Sequence, residues 1–153
     1  MAPSSLAEAR ALLLSPLGPV ARANVSKAGL DKVELRHGDI FSTRLPHASA
    51  DLVIVHQVLH YLADPAAAVA EAARLVMPGG KLLIVDFAPH QLEHLREEHQ
   101  HRRLGFADDE IQEWLTKAGL TADAPVALPP DTEGLTVHIW AAERAAASAR
   151  KTA

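Results

Sequence analysis

The chain has 153 residues, a formal net charge of −4, nine histidines and no cysteine, which together indicate about one domain, disfavour a polyanion-binding surface, and exclude a disulfide framework, a thiolate zinc site and a cysteine nucleophile. Hydrophobic residues at 48% against 22% charged, with mean hydropathy +0.02, supply a packed core rich in alanine and exclude global disorder. No run approaches the ~20 apolar residues of a membrane span and the start MAPSSLAEAR lacks a basic-then-apolar leader, so a cytoplasmic chain with no membrane and no nucleic-acid partner is expected.

Residues 1–19 form an atypical first segment, alanine- and leucine-rich but broken by Pro3, Pro16, Gly18 and Pro19. From Val20 a short helix is predicted, with Gly29 at its C′ position. Val33 and Leu35 alternate with Glu34 and Arg36, the pattern of a half-buried strand that stops at Gly38-Asp39. Leu52-Val53-Ile54-Val55 is β-branched and of strand length, so a strand buried on both faces is expected. Asp64 is an N-cap followed by Pro65 at the first helical position, and Val69, Ala72, Ala73 and Val76 recur at helical spacing up to Pro78-Gly79-Gly80. Leu82-Leu83-Ile84-Val85 is a second apolar run, and strand, helix, strand in this order makes a right-handed crossover in a parallel sheet.

The charged stretch Pro89 to Arg103, with Leu92 and Leu95 as its apolar contacts, predicts a solvated helix. Asp108 is placed to cap a further helix carrying Ile111, Trp114, Leu115 and Ala118, closed by Gly119. Leu120 to Leu128, a turn at Pro129-Pro130-Asp131, and the alternation Leu135-Val137-Ile139-Ala141 predict a terminal antiparallel pair. Residues 143–153 are expected to be a frayed helical tail. No internal repeat or second domain is visible.

Ligands of open parallel sheets bind beyond the carboxyl ends of the strands, which makes three corners informative. Gly38-Asp39-Ile40 offers close backbone approach, a carboxylate and a flat apolar contact; its structural alternative is an Asx turn. His56-Gln57, with His60-Tyr61 one turn later, leaves the second strand; the alternative is a set of hydrogen-bonded helix-entry residues. Asp86-Phe87 with Pro89-His90 leaves the third strand, where an acid can simply cap the segment that follows.

The strings VELRHGDI, DLVIVHQVLHYLADP, EAARLVMPGGKLLIVDFAPH and EHLREEHQHRRLGFADDEIQEWLTKAGL resemble, in order and spacing, the later part of a class I S-adenosylmethionine-dependent methyltransferase. The likeness is to the domains that follow ArsR-type winged-helix regulators, though the regulator's DNA-binding portion is not in this chain, and it covers roughly residues 20–142. It implies an α/β fold: an incomplete Rossmann-like methyltransferase sheet, mostly parallel, with an antiparallel C-terminal strand. It implies S-adenosylmethionine as cofactor and a small-molecule acceptor. Asp39 would meet the adenine amine, Ile40 would flank the ring, and His56 would lie near the methionine part, with Gly38 and Gln57 beside them. No catalytic base is obligatory; His60, Tyr61 and His90 are the candidates.

The resemblance also implies an N-terminal truncation, because the family's first strand, its glycine-rich G-x-G-x-G turn and the ribose-binding acid after its second strand have no counterpart here. Leu12-Leu13-Leu14-Ser15-Pro16 looks like a remnant of that second strand without its acid. Since the family's first strand is central, three repairs are open: the 33–36 strand moves beside 52–55, residues 11–15 insert, or a second copy of the chain pairs with the open edge as a homo-oligomer. The alternative to an enzyme is a non-catalytic association module or an inactive fragment. A third reading, a zinc hydrolase, rests on His90-Gln91-Leu92-Glu93-His94, which fits H-x-x-E-H. It lacks a third ligand and starts against Pro89, so no metal is expected. Neither a nucleophile elbow nor a phosphate loop is present.

Overall fold

The computed structural model describes residues 11–14, 18–30, 32–36 and 38–148. Readings that fall on residues 1–10, on Ser15-Pro16 and on 149–153 lie outside them. The elements in chain order are β1 (Ala11–Leu14), α1 (Gly18–Ala28), β2 (Ala50–His56), a 3-10 turn (Leu59–Tyr61), α2 (Pro65–Leu75), β3 (Val76–Phe87), α3 (His94–Glu98), α4 (Asp108–Lys117), β4 (Thr121–Ala122), β5 (Val126–Ala127) and β6 (Val137–Glu143). They form one mixed sheet in the order β1-β2-β3-β6-β4, with β5 also paired to β6. β1, β2 and β3 run parallel, and β6 is antiparallel to β3, β4 and β5.

The crossover from β2 through α2 to β3 is built from local signals. Asp64 accepts a hydrogen bond from the Ala67 N–H at 3.0 Å and Pro65 occupies the start of α2, a cap worth about 1 kcal/mol. The exit differs from the sequence expectation. The helix ends at Leu75, and Pro78-Gly79-Gly80 already belong to β3. A Cβ on Gly80 would stand 2.9 Å from the carbonyl oxygens of Asp51 and Met77, so glycine there lets β3 close against β2. Arg144 supplies the missing C-terminal partners: its Nε donates to Val76 O at 2.9 Å and its Nη2 to Ala73 O at 2.8 Å, while its backbone N–H reaches Gly80 O. The tail expected to be helical from residue 143 therefore begins as strand and anchor, and 144–148 have no regular structure.

Side chains of the sheet alternate in burial. Val53 and Val55 of β2, Leu82 and Ile84 of β3, and Trp140 and Ala142 of β6 are buried with Val69, Ala72 and Ala73 of α2 and Ile111 and Leu115 of α4. Each large apolar side chain taken fully from water contributes about 1.5–3 kcal/mol. Leu52, Ile54, Leu83 and Val85, on the other face, are only half-buried. The strands expected to be buried on both faces are buried on one.

Of the three repairs, the structure contains the insertion. Ala11–Leu14 lies parallel to β2 with Leu14 opposite Val55. Residues 33–36 form no strand: Val33 and Leu35 are exposed, and Glu34 and Arg36 pair with each other at 2.7 Å. With β1 as the terminal strand of the sheet among the described residues, no neighbour supplies a ladder for them. The helix expected over Pro89 to Arg103 shortens to α3, because only Leu95 is buried within it and so few apolar contacts do not sustain a longer one. Asp108 is the first residue of α4 rather than its cap; its Oδ1 accepts from Trp140 Nε1 at 2.8 Å and meets His138 Nδ1 at 2.9 Å, tying α4 to β6.

Candidate functional site

The parallel strands β2 and β3 finish side by side, with His56 opposite Val85. The chain leaves β2 sharply: Gln57 has φ +48° and its N–H donates to Val85 O at 2.7 Å. This turn directs the 3-10 segment across the end of β3, over Asp86. Asp86 shares the buried face of Leu82 and Ile84 by strand alternation and is fully buried. Its Oδ2 accepts from Leu59 N–H at 3.1 Å, and its Oδ1 accepts from Phe87 N–H at 2.8 Å and lies 2.7 Å from His60 Nδ1. A buried carboxylate is expensive unless its oxygens are bonded, and here the ends of two strands provide the bonds. With His60 Nδ1 donating to Asp86, a neutral His60 keeps its lone pair on Nε2. The alternative of an acid capping its own following segment describes only the Phe87 bond.

A loop from far along the chain closes over this pair. Arg102 and Arg103 N–H both donate to His60 O, at 2.8 and 3.1 Å, His90 N–H donates to Leu104 O, and Phe106 N–H donates to Phe87 O. The loop lies this close because Gly105, at φ +84°, has no Cβ; one there would overlap Ala88 O. The result is a ring cluster. His101 lies 4.3 Å from His60, 5.4 Å edge-on from Tyr61 and 5.9 Å stacked from Phe87, with the His90 ring 6.5 Å away, all between centroids. His90 Nε2 and His101 Nδ1 are buried without a hydrogen-bond partner among the described residues. Burial, then the neighbouring imidazole of His60, lowers the pKa of His90. Burial first, followed by His60, His90 and His99, pushes His101 down to about 4, with Asp86 acting in the opposite direction.

The first corner is built differently. Asp39 is exposed; its Oδ1 accepts from Phe41 N–H at 2.9 Å and its backbone oxygen from Ser42 N–H at 3.1 Å, which is the Asx turn weighed as the alternative. A Cβ on Gly38 would meet nothing within 4 Å, so the space in front of this backbone is open. Ile40 packs against the core. The loop is moored to α2 through Thr43, whose N–H and Oγ1 donate to Glu71 Oε1 at 3.0 and 2.8 Å. The Arg74 hydrogen bond first, and those from Thr43 after it, hold Glu71 down to about 2.

Of the sequence candidates, the structure thus gathers His60, Tyr61 and His90 into one cluster and places His56 and Gln57 at the strand end leading into it. Gly38, Asp39 and Ile40 share no hydrogen bond, ion pair or ring contact with that cluster among the described residues. Asp86 as the partner of His60, and His101 as the lid on both, escape sequence reading, since neither partnership follows a local period. The helical H-x-x-E-H geometry is not formed. α3 begins at His94, His90 Nδ1 accepts from Leu92 N–H at 3.3 Å, and Glu93 pairs with Arg96. Among the described residues no three histidines or acids stand close enough to hold a metal ion, and no helix is long and apolar enough to cross a membrane.

Comparisons with known proteins agree on one family. A family described as a methyltransferase domain matches residues 12–84. The chain is 34% identical over 102 residues to a protein named as a probable S-adenosylmethionine-dependent methyltransferase of Mycolicibacterium smegmatis, covering 63% of this chain and 38% of that protein. It is 33% identical over 116 residues to the 27-O-demethylrifamycin SV methyltransferase of Amycolatopsis mediterranei, covering 69% of this chain and 43% of that one. The chain therefore spans about two fifths of the length of these relatives. In fold it is similar to the 1,6-didemethyltoxoflavin-N1-methyltransferase of Burkholderia thailandensis, solved with S-adenosylhomocysteine bound, with a TM-score of 0.68 and 17% identity over 88% of this chain and 60% of that one.

Proposed function

We propose the following function for a chain that belongs to the class I S-adenosylmethionine-dependent methyltransferases: it binds S-adenosylmethionine across the carboxyl ends of β1 and β2 and passes the methyl group to a small molecule held over the end of β3. The observation that carries this reading is the placement of β1. Its carboxyl end, at Leu14, lies level with Val55 of β2, and α1 opens four residues later at Gly18. The end of β1 and the start of α1 therefore lie close in the chain beside the carboxyl end of β2, where ligands of open parallel sheets bind.

The residues present fit the cofactor in part. Asp39 has one oxygen committed to its turn and a second to offer the adenine amine, Ile40 gives an apolar wall, and the open space before Gly38 admits a ring. His56 and Gln57 flank the methionine end, where the positive φ of Gln57 turns the backbone across the sheet. No G-x-G occurs anywhere in the 153 residues, so phosphate-loop-like backbone contacts are not part of the proposal. When bound, the sulfonium supplies an activated methyl carbon. The chain's own contribution is to orient the two reactants, since positioning provides most of the acceleration in such a displacement.

Titration calorimetry with S-adenosylmethionine and S-adenosylhomocysteine tests this. Micromolar binding of both is expected, and no heat at millimolar ligand would remove the reading. A second reading, an association module, is favoured by the exposure of Val20, Leu30, Val33, Leu35 and Phe41 along one stretch of chain and by β1 standing as the terminal strand. Sedimentation equilibrium of the same sample distinguishes it: self-association without ligand heat is its signature.

A further inference from the structure

The chain between Phe87 and Phe106 leaves the sheet and returns to it at one place. At this neck Phe106 N–H donates to Phe87 O at 2.9 Å, and His90 N–H donates to Leu104 O at 3.1 Å. Inside the loop the chain braces itself. His99 and His101 N–H both donate to Leu95 O at 3.1 Å, Arg96 Nη1 donates to Arg102 O at 2.9 Å, and Glu93 pairs with Arg96 at 3.0 Å. Leu95 is buried apart from the central core cluster. A compact loop with its ends together and its own internal bonds can move as a body.

We propose that residues 89–104 are a hinged lid that swings as one body about this neck and uncovers Phe87, Tyr61 and the His60–Asp86 pair to an entering molecule. The moorings that hold it shut are few. Arg102 and Arg103 N–H share a single acceptor, His60 O, and the Arg103 guanidinium reaches Glu110 of α4 at 2.6 and 2.8 Å. The His101 ring rests on those of His60, Tyr61 and Phe87, at 4.3, 5.4 and 5.9 Å between centroids. Seating it there carries an opposing cost, because His101 Nδ1 is buried without a hydrogen-bond partner among the described residues. Whichever tautomer the ring holds, that nitrogen has lost its water, which favours the open form. Gly105, at φ +84°, gives the neck the backbone freedom a hinge needs. For its purpose, admitting the acceptor to the head of β3, the lid rests on the methyltransferase reading; the motion itself does not.

The test is amide hydrogen exchange of the full chain, followed by NMR without any methyl donor, under conditions where the rate reports the opening equilibrium. Arg102 and Arg103 N–H, released together, are expected to share one opening constant, about a hundredfold or more above that of Ile84 in β3. His99 and His101 N–H travel with the lid and should stay about tenfold better protected than the arginine pair. Glu110→Gln, outside the lid, loosens one mooring and should raise both arginine constants by the same factor, about threefold, with His99, His101 and Ile84 unmoved. Gly105→Ala, which crowds the neck against Ala88 O, should raise them further; if that variant does not fold, Glu110→Gln decides. Arginine amides no faster than Ile84 would mean a fixed loop, and His99 and His101 as fast as the arginines would mean fraying in place of a hinged body. Either result overturns the proposal, as does a Glu110→Gln effect confined to one arginine or absent from both. Cofactor heat without opening sinks the lid alone; opening without cofactor heat sinks the methyltransferase reading and leaves the lid standing.

Discussion

Asp39 and Asp86 are both acids at corners that the sequence singles out, yet they are held in opposite ways. Asp39 is exposed and its side-chain bond reaches only two residues along the chain. Asp86 is fully buried and reaches Leu59, 27 residues away, as well as His60 and Phe87. The same side chain is therefore a free surface group at one corner and a structural joint at the other. An acid is a candidate for ligand contact only where solvent, and hence a ligand, can reach it.

This contrast can be broken by substitution. Asp86→Ala leaves Leu59 N–H, Phe87 N–H and His60 Nδ1 without an acceptor in a dry site, and should cost about 3–5 kcal/mol in urea unfolding. A cost below about 1 kcal/mol would mean that the joint does not hold the strand ends together. A smaller effect is expected from acid. The pKa of His101 is about 4 in the folded chain against an ordinary value near 6.5 when unfolded. The unfolded chain therefore binds more protons between these values, so stability is full above about pH 6.5 and falls by about 1–3 kcal/mol as pH drops towards 4. His90, lowered in the same direction, adds to the slope. His101→Phe should flatten it, as read from unfolding curves at stepped pH. The smallest stability effect belongs to Asp39→Ala, within about 1 kcal/mol because only an exposed turn bond is lost. The same variant should weaken S-adenosylmethionine about tenfold in calorimetry, the value of one ligand hydrogen bond to a charged group.

What could be read from sequence was what local chemistry determines. The Asp64-Pro65 start of α2, the β-branched run of β2, the spacing of Ile111 and Leu115 in α4 and the alternation of β6 carry their own periods and caps. Segment 33–36 carries a period too, but a strand exists only beside another strand, and the insertion of residues 11–14 takes the place next to β2. Pro78-Gly79-Gly80 reads as the breaker of α2, whereas the break comes at Val76, whose carbonyl is met by a guanidinium 68 residues later. At the site, His60 and His90 were legible as strand-end residues. His101 was not: a loop, admitted by Gly105, brings it onto His60, and nothing in the spacing of the charged stretch announces that return. Asp108 looked like a cap and is instead the acceptor for Trp140, a partner that emerges only when β6 enters the sheet.

Arg144 gives the molecule an order of assembly. Its guanidinium meets the Ala73 carbonyl of α2 and the Val76 carbonyl that opens β3, and its backbone exchanges hydrogen bonds with Gly79 and Gly80. A nascent chain cannot finish the α2-to-β3 junction while it is being made; that junction waits for the residue that follows the final strand. Until then the crossover has a loose end, and a ribosome or protease that stops short of this arginine leaves the knot untied.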